Sequence, residues 1–313
     1  MPQEQVARSG EFLEFIRQSA RSLRHDEAIP KSVDEWQKLR TTIRKQLVGA
    51  IGLQSSEPGP VPVRKLGEQK RDGYRIEHLV LRTIRVGEGW IEMPANAYVP
   101  DFPFGDPKPA PAVLCVHGHW SGAKQDPVVQ SRCIGLAKLG FVVLSVDAFG
   151  AGERGLKTGL GEYHGEMVAA TLWPSGTLLC GIQVLENMRA VDYLQSRPEV
   201  DAKRLGVTGT SGGGNQTIYS GALDERLKCV VPVCSVGNYQ AYLGAACCMC
   251  ELVPGVLTFT DQWQVLGLVA PRALMVINAT RDAVQFSVGE AKKSIAGARR
   301  VFDLYKRSDS IRH

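Results

Sequence analysis

The chain has 313 residues, 44% hydrophobic and 22% charged, enough to bury one large core or two modest ones and unlike a disordered, collagenous or coiled-coil sequence. Lysine and arginine outnumber aspartate and glutamate by 37 to 32, too small and dispersed a surplus to predict a nucleic-acid groove. No run approaches the roughly 18 apolar residues of a membrane span, and the amino terminus, MPQEQVARSGEFLEF, is charged where a secretion signal needs an apolar stretch. The expectation is a soluble chain, with neither membrane nor nucleic acid as partner and the cytoplasm as its default location.

In chain order, Phe12, Phe15, Ile16 and Leu23 recur at helical spacing, and a second helical run from Val33 to Val48 follows Pro30. SSEPGPVP, from Ser55 to Pro62, reads as a linker or crossing loop. Beyond it the pattern becomes that of strands, Arg75 to Arg85 and Trp90 to Val99, with Gly87 and Gly89 in the hairpin turn. From Pro111 on, the short apolar runs AVLCV, FVVLSV, RLGVTG, CVVPV and ALMVIN alternate with longer helical patterns. Such alternation predicts an α/β fold whose parallel strands are covered on both faces. The helices are expected near Val128–Leu139, Leu178–Ser196, Gly212–Leu223 and Val288–Tyr305.

Among the eight cysteines, Cys115, Cys229 and Cys234 lie in apolar runs where a thiol packs as a small hydrophobe. Cys247, Cys248 and Cys250 cluster without a second cysteine pair at metal-site spacing, and His117-x-His119 has no third ligand nearby in sequence. No metal site is therefore expected.

The segment with the clearest chemistry is Leu205-Gly-Val-Thr-Gly-Thr-Ser-Gly-Gly-Gly214, a strand running through a glycine-rich turn into a helix. Gly209-Thr210-Ser211-Gly212-Gly213 satisfies the G-x-S-x-G nucleophile elbow, which needs small neighbours because the serine sits in a strained turn where strand and helix approach closely. A phosphate-binding or purely structural glycine turn is the alternative for this motif alone. The buried strand Val113–Val116 ends in His117-Gly118-His119-Trp120, where hydrolases of this design place one oxyanion donor. The donors here would be the amides of His119 and Gly212. Chain order in this fold is serine, acid, histidine, and Asp282 follows the strand Ala273–Asn278 at the same sheet edge. Asp261 is the reserve acid.

Several further segments complete a family pattern: Asp147-Ala-Phe-Gly-Ala-Gly-Glu-Arg154, Arg197-Pro-Glu-Val-Asp201, Ala222-Leu-Asp-Glu-Arg226 and Ala270-Pro-Arg272. With the helical amino-terminal part and the His117-Gly-His loop, they make the chain from Ser32 onward resemble the acetyl xylan esterase and dienelactone-hydrolase-like branch of the α/β-hydrolases. The resemblance implies a mostly parallel sheet with helices on both faces, residues 1–62 forming a helical extension and linker and residues 63–313 the hydrolase domain. It further implies cofactor-free hydrolysis of carboxylic esters, often acetyl groups on carbohydrate, with Ser211 as nucleophile and Asp282 as acid.

The base is harder to assign. The histidines are His25, His78, His117, His119, His164 and His313, and only His313 follows Asp282. The family histidine lies on the loop after the last strand, so the expectation is a truncated chain that lacks that strand and its loop, with the base beyond residue 313. The alternatives are a catalytically impaired binding or scaffold protein of this fold, or another acyl hydrolase such as a dienelactone hydrolase, thioesterase or peptidase. Tyr163, His164 and Trp173, in the segment Leu156–Pro174 where this fold inserts a cap, together with Trp120 and Trp263, are candidates for binding a small-molecule or carbohydrate ester.

Overall fold

The apolar runs around Leu114, Leu144 and Val207 fold next to one another at the middle of a nine-stranded sheet. The structure, a computed structural model, describes residues 2–23, 29–53, 59–101, 109–155, 166–245 and 248–313. Its strands are β1 (Val63–Arg71), β2 (Tyr74–Val86), β3 (Gly89–Pro100), β4 (Ala110–Val116), β5 (Val142–Val146), β6 (Val200–Thr210), β7 (Leu227–Val233), β8 (Ala273–Met275) and β9 (Ile311–Arg312). They lie in the order β1-β2-β3-β5-β4-β6-β7-β8-β9. The first three form an antiparallel meander that joins β5 antiparallel; from β5 to β9 neighbouring strands run parallel. The loops leaving the carboxyl ends of the parallel strands therefore collect along one edge, where open α/β sheets place their chemistry.

The helices are α1 (Pro2–Leu23), α2 (Val33–Ala50), α3 (Pro127–Lys138), α4 (Glu166–Thr171), α5 (Leu179–Ser196), α6 (Gly212–Leu223), α7 (Tyr239–Tyr242), α8 (Gln262–Gly267) and α9 (Val288–Leu304). Helix α3 starts at an Asp126 cap that accepts the Val128 amide at 2.9 Å, with Pro127 in the first turn. Its Val129, Cys133 and Ala137 cover one sheet face, over Tyr98, Cys115 and Val143. The opposite face carries the larger core, where residues of α2, α5, α6, α8 and α9 join Leu114, Leu144 and Val207. This is the α/β-hydrolase architecture, a mostly parallel sheet with helices on both faces.

The structure departs from expectation at several places. Strand β1 gave no apolar signal because it is an edge strand, nearly all of it exposed, with the sequence VRKLGEQKR. Cys115 is buried, but Cys229 is exposed and Cys234 half-buried, so an apolar run does not make every thiol in it a core residue. Coverage on both faces fails at β8: Leu274 and Val276 are buried, whereas Met275 and Ile277 on the alternate face are 45% and 39% exposed. Where the final strand is expected to be missing, a short β9 pairs with β8, Ile311 with Leu274 and Arg312 with Met275. At the other end, Phe12 and Phe15 mark the helical spacing of α1 but remain 67% and 66% exposed. Trp36, Ile43 and Leu47 of α2, by contrast, lie fully buried in the main core. Residues 54–58 of the expected linker lie outside the described residues.

Candidate active site

Strand β6 delivers Ser211 to the sheet edge and α6 begins at the next residue. Ser211 has φ 59° and ψ −123°, a backbone that an L-residue adopts at a cost of about 1–3 kcal/mol unless its surroundings enforce it. Its amide donates to the Val233 carbonyl at 2.9 Å and its carbonyl accepts the Asn215 amide at 3.0 Å, fixing the turn from both sides. The flanking glycines are sterically required. A Cβ on Gly209 would lie 2.6 Å from the Val116 carbonyl oxygen, and one on Gly213 the same distance from that oxygen and 2.8 Å from the His117 carbonyl carbon. Gly212 opens α6, where the first-turn amides have no acceptor within the helix.

The loop after β4 lies directly against this turn: a Cβ on Gly118 would be 3.2 Å from Ser211 Cβ. His117 holds the loop in place. Its ring is buried, Nε2 accepts the Ala148 amide at 3.0 Å, and Nδ1 lies 2.8 Å from the Gly118 carbonyl oxygen. An amide can only donate, so Nε2 carries the lone pair and Nδ1 the proton. Burial lowers the His117 pKa, keeping the ring neutral, which suits a strut, and the Ala148 amide occupies the lone pair that proton abstraction would need.

Ala148 in turn belongs to a polar knot that the sequence shows only as a family segment. The carboxylate of Asp147 accepts the Lys124 ammonium at 2.6 Å, the Lys124 amide and the Glu153 amide, while Arg154 reaches both carboxylate oxygens of Glu186 on α5, at 2.7 and 2.8 Å. Thr83 of β2 completes it by donating to Glu186 at 2.9 Å.

Asp282 lies on the exposed loop after β8, its carboxylate accepting the Ala283 amide at 2.8 Å and neighbouring the thiol of Cys234. Burial first, then this carboxylate, push the Cys234 thiol up. The strand ends are tied in series across the edge: Ser211 to Val233, Val233 bridging Ile277, and the Cys234 amide donating to the Ile277 carbonyl at 2.7 Å. Asp261, the reserve acid, is instead the cap of α8, accepting the Gln262 amide at 2.6 Å and closing a capping box with Gln264. His313 follows β9 and is exposed.

The aromatic candidates separate. Trp120 is half-buried beside Gly118, packed on the core under α3. Trp173, after α4, is 40% exposed. Trp263 is a packing residue between helices: a Cβ on Gly297 of α9 would come within 2.7 Å of it. Tyr163 and His164 lie outside the described residues. A cavity of about 640 Å³ opens elsewhere, between Tyr74, His78, Asn96, Lys124 and Glu153, and includes none of the expected site residues in its wall. Among the described residues no helix is long and apolar enough to cross a membrane.

One cluster was not foreseen. His119 Nε2 lies 3.2 Å from Cys250 Sγ, Cys250 Sγ lies 2.7 Å from Cys248 Sγ, and all three atoms are within 4.8 Å of one another. The sequence holds the cysteine pair and the histidine 129 to 131 positions apart (248 − 119 and 250 − 119), so only the fold reveals that they converge.

Comparison with known proteins agrees with this architecture. Residues 92–241, the stretch that carries His117 to Ser211, match the model of the family Acetyl xylan esterase (AXE1). The chain has the α/β-hydrolase fold and, over residues 92–241, resembles the acetyl xylan esterases. The chain is 27% identical over 270 residues to YtaP of Bacillus subtilis, a protein provisionally assigned as a hydrolase, covering 81% of this chain and 85% of that one. It is 29% identical over 144 residues to the acetyl esterase Axe7A of Xylanibacter ruminicola, covering 42% of this chain and 31% of that one. Among solved structures, one from Bacteroides fragilis provisionally assigned as an acetyl xylan esterase superposes on this chain with a TM-score of 0.76 at 17% identity, over 95% of this chain and 80% of that one. At that identity the superposition establishes the fold.

Proposed function

We propose that the protein is a serine carboxylic ester hydrolase that removes acetyl groups from carbohydrate, with Ser211 as nucleophile, Asp282 as acid, a histidine as base, and the amides of Gly212 and His119 as oxyanion donors. The observation that carries this reading is the backbone of Ser211, a positive-φ serine between strand and helix whose glycine neighbours leave no room for a side chain. A structural turn has no need to hold a serine in that conformation. A nucleophile does, because the strained elbow lifts Oγ clear of the sheet edge.

In this reaction Ser211 Oγ attacks the ester carbonyl and passes its proton to the histidine. The tetrahedral oxyanion is held by the two amides, each worth about 2.7–4 kcal/mol in the transition state. The protonated histidine gives the proton to the departing alcohol, leaving an acetyl-enzyme. Water, deprotonated by the same histidine, then attacks the acetyl carbonyl, and the histidine returns that proton to Ser211 Oγ as acetate leaves, with Asp282 orienting the ring and stabilising its charged form. His117 is not that base, since its Nε2 lone pair is taken by the Ala148 amide. The base belongs after the acid in chain order, on the loop that follows β9. His313 directly follows β9, ahead of the place where the fold sets that base, and is not assigned the role; desolvation and the Lys292 charge lower its pKa. Trp120 and Trp173 offer aromatic faces suited to a sugar ring.

The test is hydrolysis of p-nitrophenyl acetate and of longer acyl esters by the full-length protein. The reading expects acetate to be preferred, the Ser211→Ala rate to fall by at least about 1,000-fold, and His313→Ala to keep the parent rate.

A further inference from the structure

We propose that His119 Nε2, Cys248 Sγ and Cys250 Sγ bind one zinc ion beside the nucleophile turn. The three side chains come from the loop after β4, from the turn Met249–Glu251 and from Cys248, which caps that turn, and it is their donor atoms that meet, all within 4.8 Å. Two thiolates and one neutral imidazole form a soft, nitrogen-and-sulfur set of the kind that selects zinc over magnesium or calcium. Three protein donors leave the fourth tetrahedral position to water or another small ligand.

The surroundings fit a held ion. Both cysteines are buried, and Ala169 and Leu179 pack with them in a small apolar cluster, with Phe149 and Met249 against it. An apolar shell limits the access of water and strengthens attraction between the ion and its thiolates. The sulfurs, 2.7 Å apart, must part to about 3.8 Å to occupy two corners of a zinc tetrahedron with bonds near 2.3 Å. Rotation about the two Cα–Cβ bonds supplies this movement. On binding, each thiol releases its proton to solvent and the ion takes up the two sulfur lone pairs, so no oxidant or reductant is needed.

The location matters because Gly118, which lies against Ser211, directly precedes His119. An ion on the His119 ring anchors the residue whose amide is the proposed oxyanion donor. That consequence depends on the reading of Ser211 given above, whereas the binding site itself does not.

The site is tested on full-length protein, reduced, freed of metal with a chelator and then titrated with zinc against a chromophoric competitor. One equivalent is expected, and Cys248→Ser/Cys250→Ser weakens binding by more than the 10- to 100-fold that loss of an outer-shell partner costs. Cys229→Ser, an exposed cysteine elsewhere, leaves binding unchanged. Should the double variant fail to fold, cobalt(II) added to the unaltered protein gives the same answer: a thiolate-to-cobalt charge-transfer band is expected. Absence of both stoichiometric zinc and that band overturns the proposal. Undiminished binding in a folded double variant also overturns it, as does a Cys248–Cys250 disulfide whose reduced form takes up no zinc.

Discussion

The Ser211 amide donates to the Val233 carbonyl, so the residue proposed as nucleophile is held by the strand next to the one that delivers it. Val233 in turn bridges Ile277, which leads into the loop carrying Asp282. The elbow and the acid loop are thus registered through the ends of neighbouring strands, and disturbing the packing at this edge should move both.

Gly213→Ala tests how tightly the elbow is packed. The new methyl meets the Val116 and His117 backbone, which cannot yield as a flexible side chain can. We expect a loss of about 1–3 kcal/mol in urea unfolding and a fall in kcat larger than any rise in KM. An unchanged unfolding midpoint and rate would show that the turn has room the distances do not allow.

Lys124→Met tests the polar knot behind the oxyanion loop. Lys124 and Asp147 are 2% and 1% exposed, so removing the ammonium leaves a buried carboxylate without its cation. The expected loss is about 3–5 kcal/mol, larger than for Lys124→Met/Asp147→Leu, in which both charges are gone. Equal losses in the single and double variants would mean that water already reaches the pair.

His117 predicts a pH dependence with a definite sign. Its pKa is lowered in the folded protein by burial, so below the unfolded-state value of about 6.5 the unfolded chain binds a proton that the native ring does not. The contribution is fully present above about pH 6.5 and is lost as pH falls through that value, by up to about 1.4 kcal/mol per pH unit. Urea unfolding of the parent and of His117→Gln between pH 7.5 and 5.5 checks this, the parent losing more stability over the interval. Parallel losses would assign the dependence to other groups.

Trp36→Ala asks whether α2 is part of the core. The ring is fully buried, 3.1 Å from where a Cβ on Gly267 of α8 would stand. We expect a loss of about 3–5 kcal/mol. A loss under about 1 kcal/mol would support reading the region before β1 as a dispensable extension.

The parallel half of the fold was legible because its strands are short apolar runs bounded by glycine, proline or aspartate, and α6 was readable to the residue from Gly212 to Leu223. The Ser211 elbow was legible for the same reason, since small residues at fixed offsets reflect a local steric demand. Strand β1 was not, because an exposed edge strand shows no alternation between apolar and polar residues. The family segments could be recognised but not interpreted. Arg154, Arg197 and Arg272 turn out to be struts, donating to Glu186, Glu77 and the Leu227 carbonyl respectively, contacts that depend on long-range packing. The meeting of His119 with Cys248 and Cys250 was hidden for the same reason. Trp263, considered for substrate from the sequence, lies in the structure where α8 packs on α9, against Gly297.

The central claim is that Ser211 carries the acyl group. The most direct measurement is peptide mass spectrometry of full-length protein quenched during turnover of p-nitrophenyl acetate, alongside the rate of Ser211→Ala. The account predicts an acetyl group on Ser211 and a variant slowed by at least about 1,000-fold. An acetyl group on another residue during productive turnover, or a Ser211→Ala variant that keeps the parent rate, would contradict it.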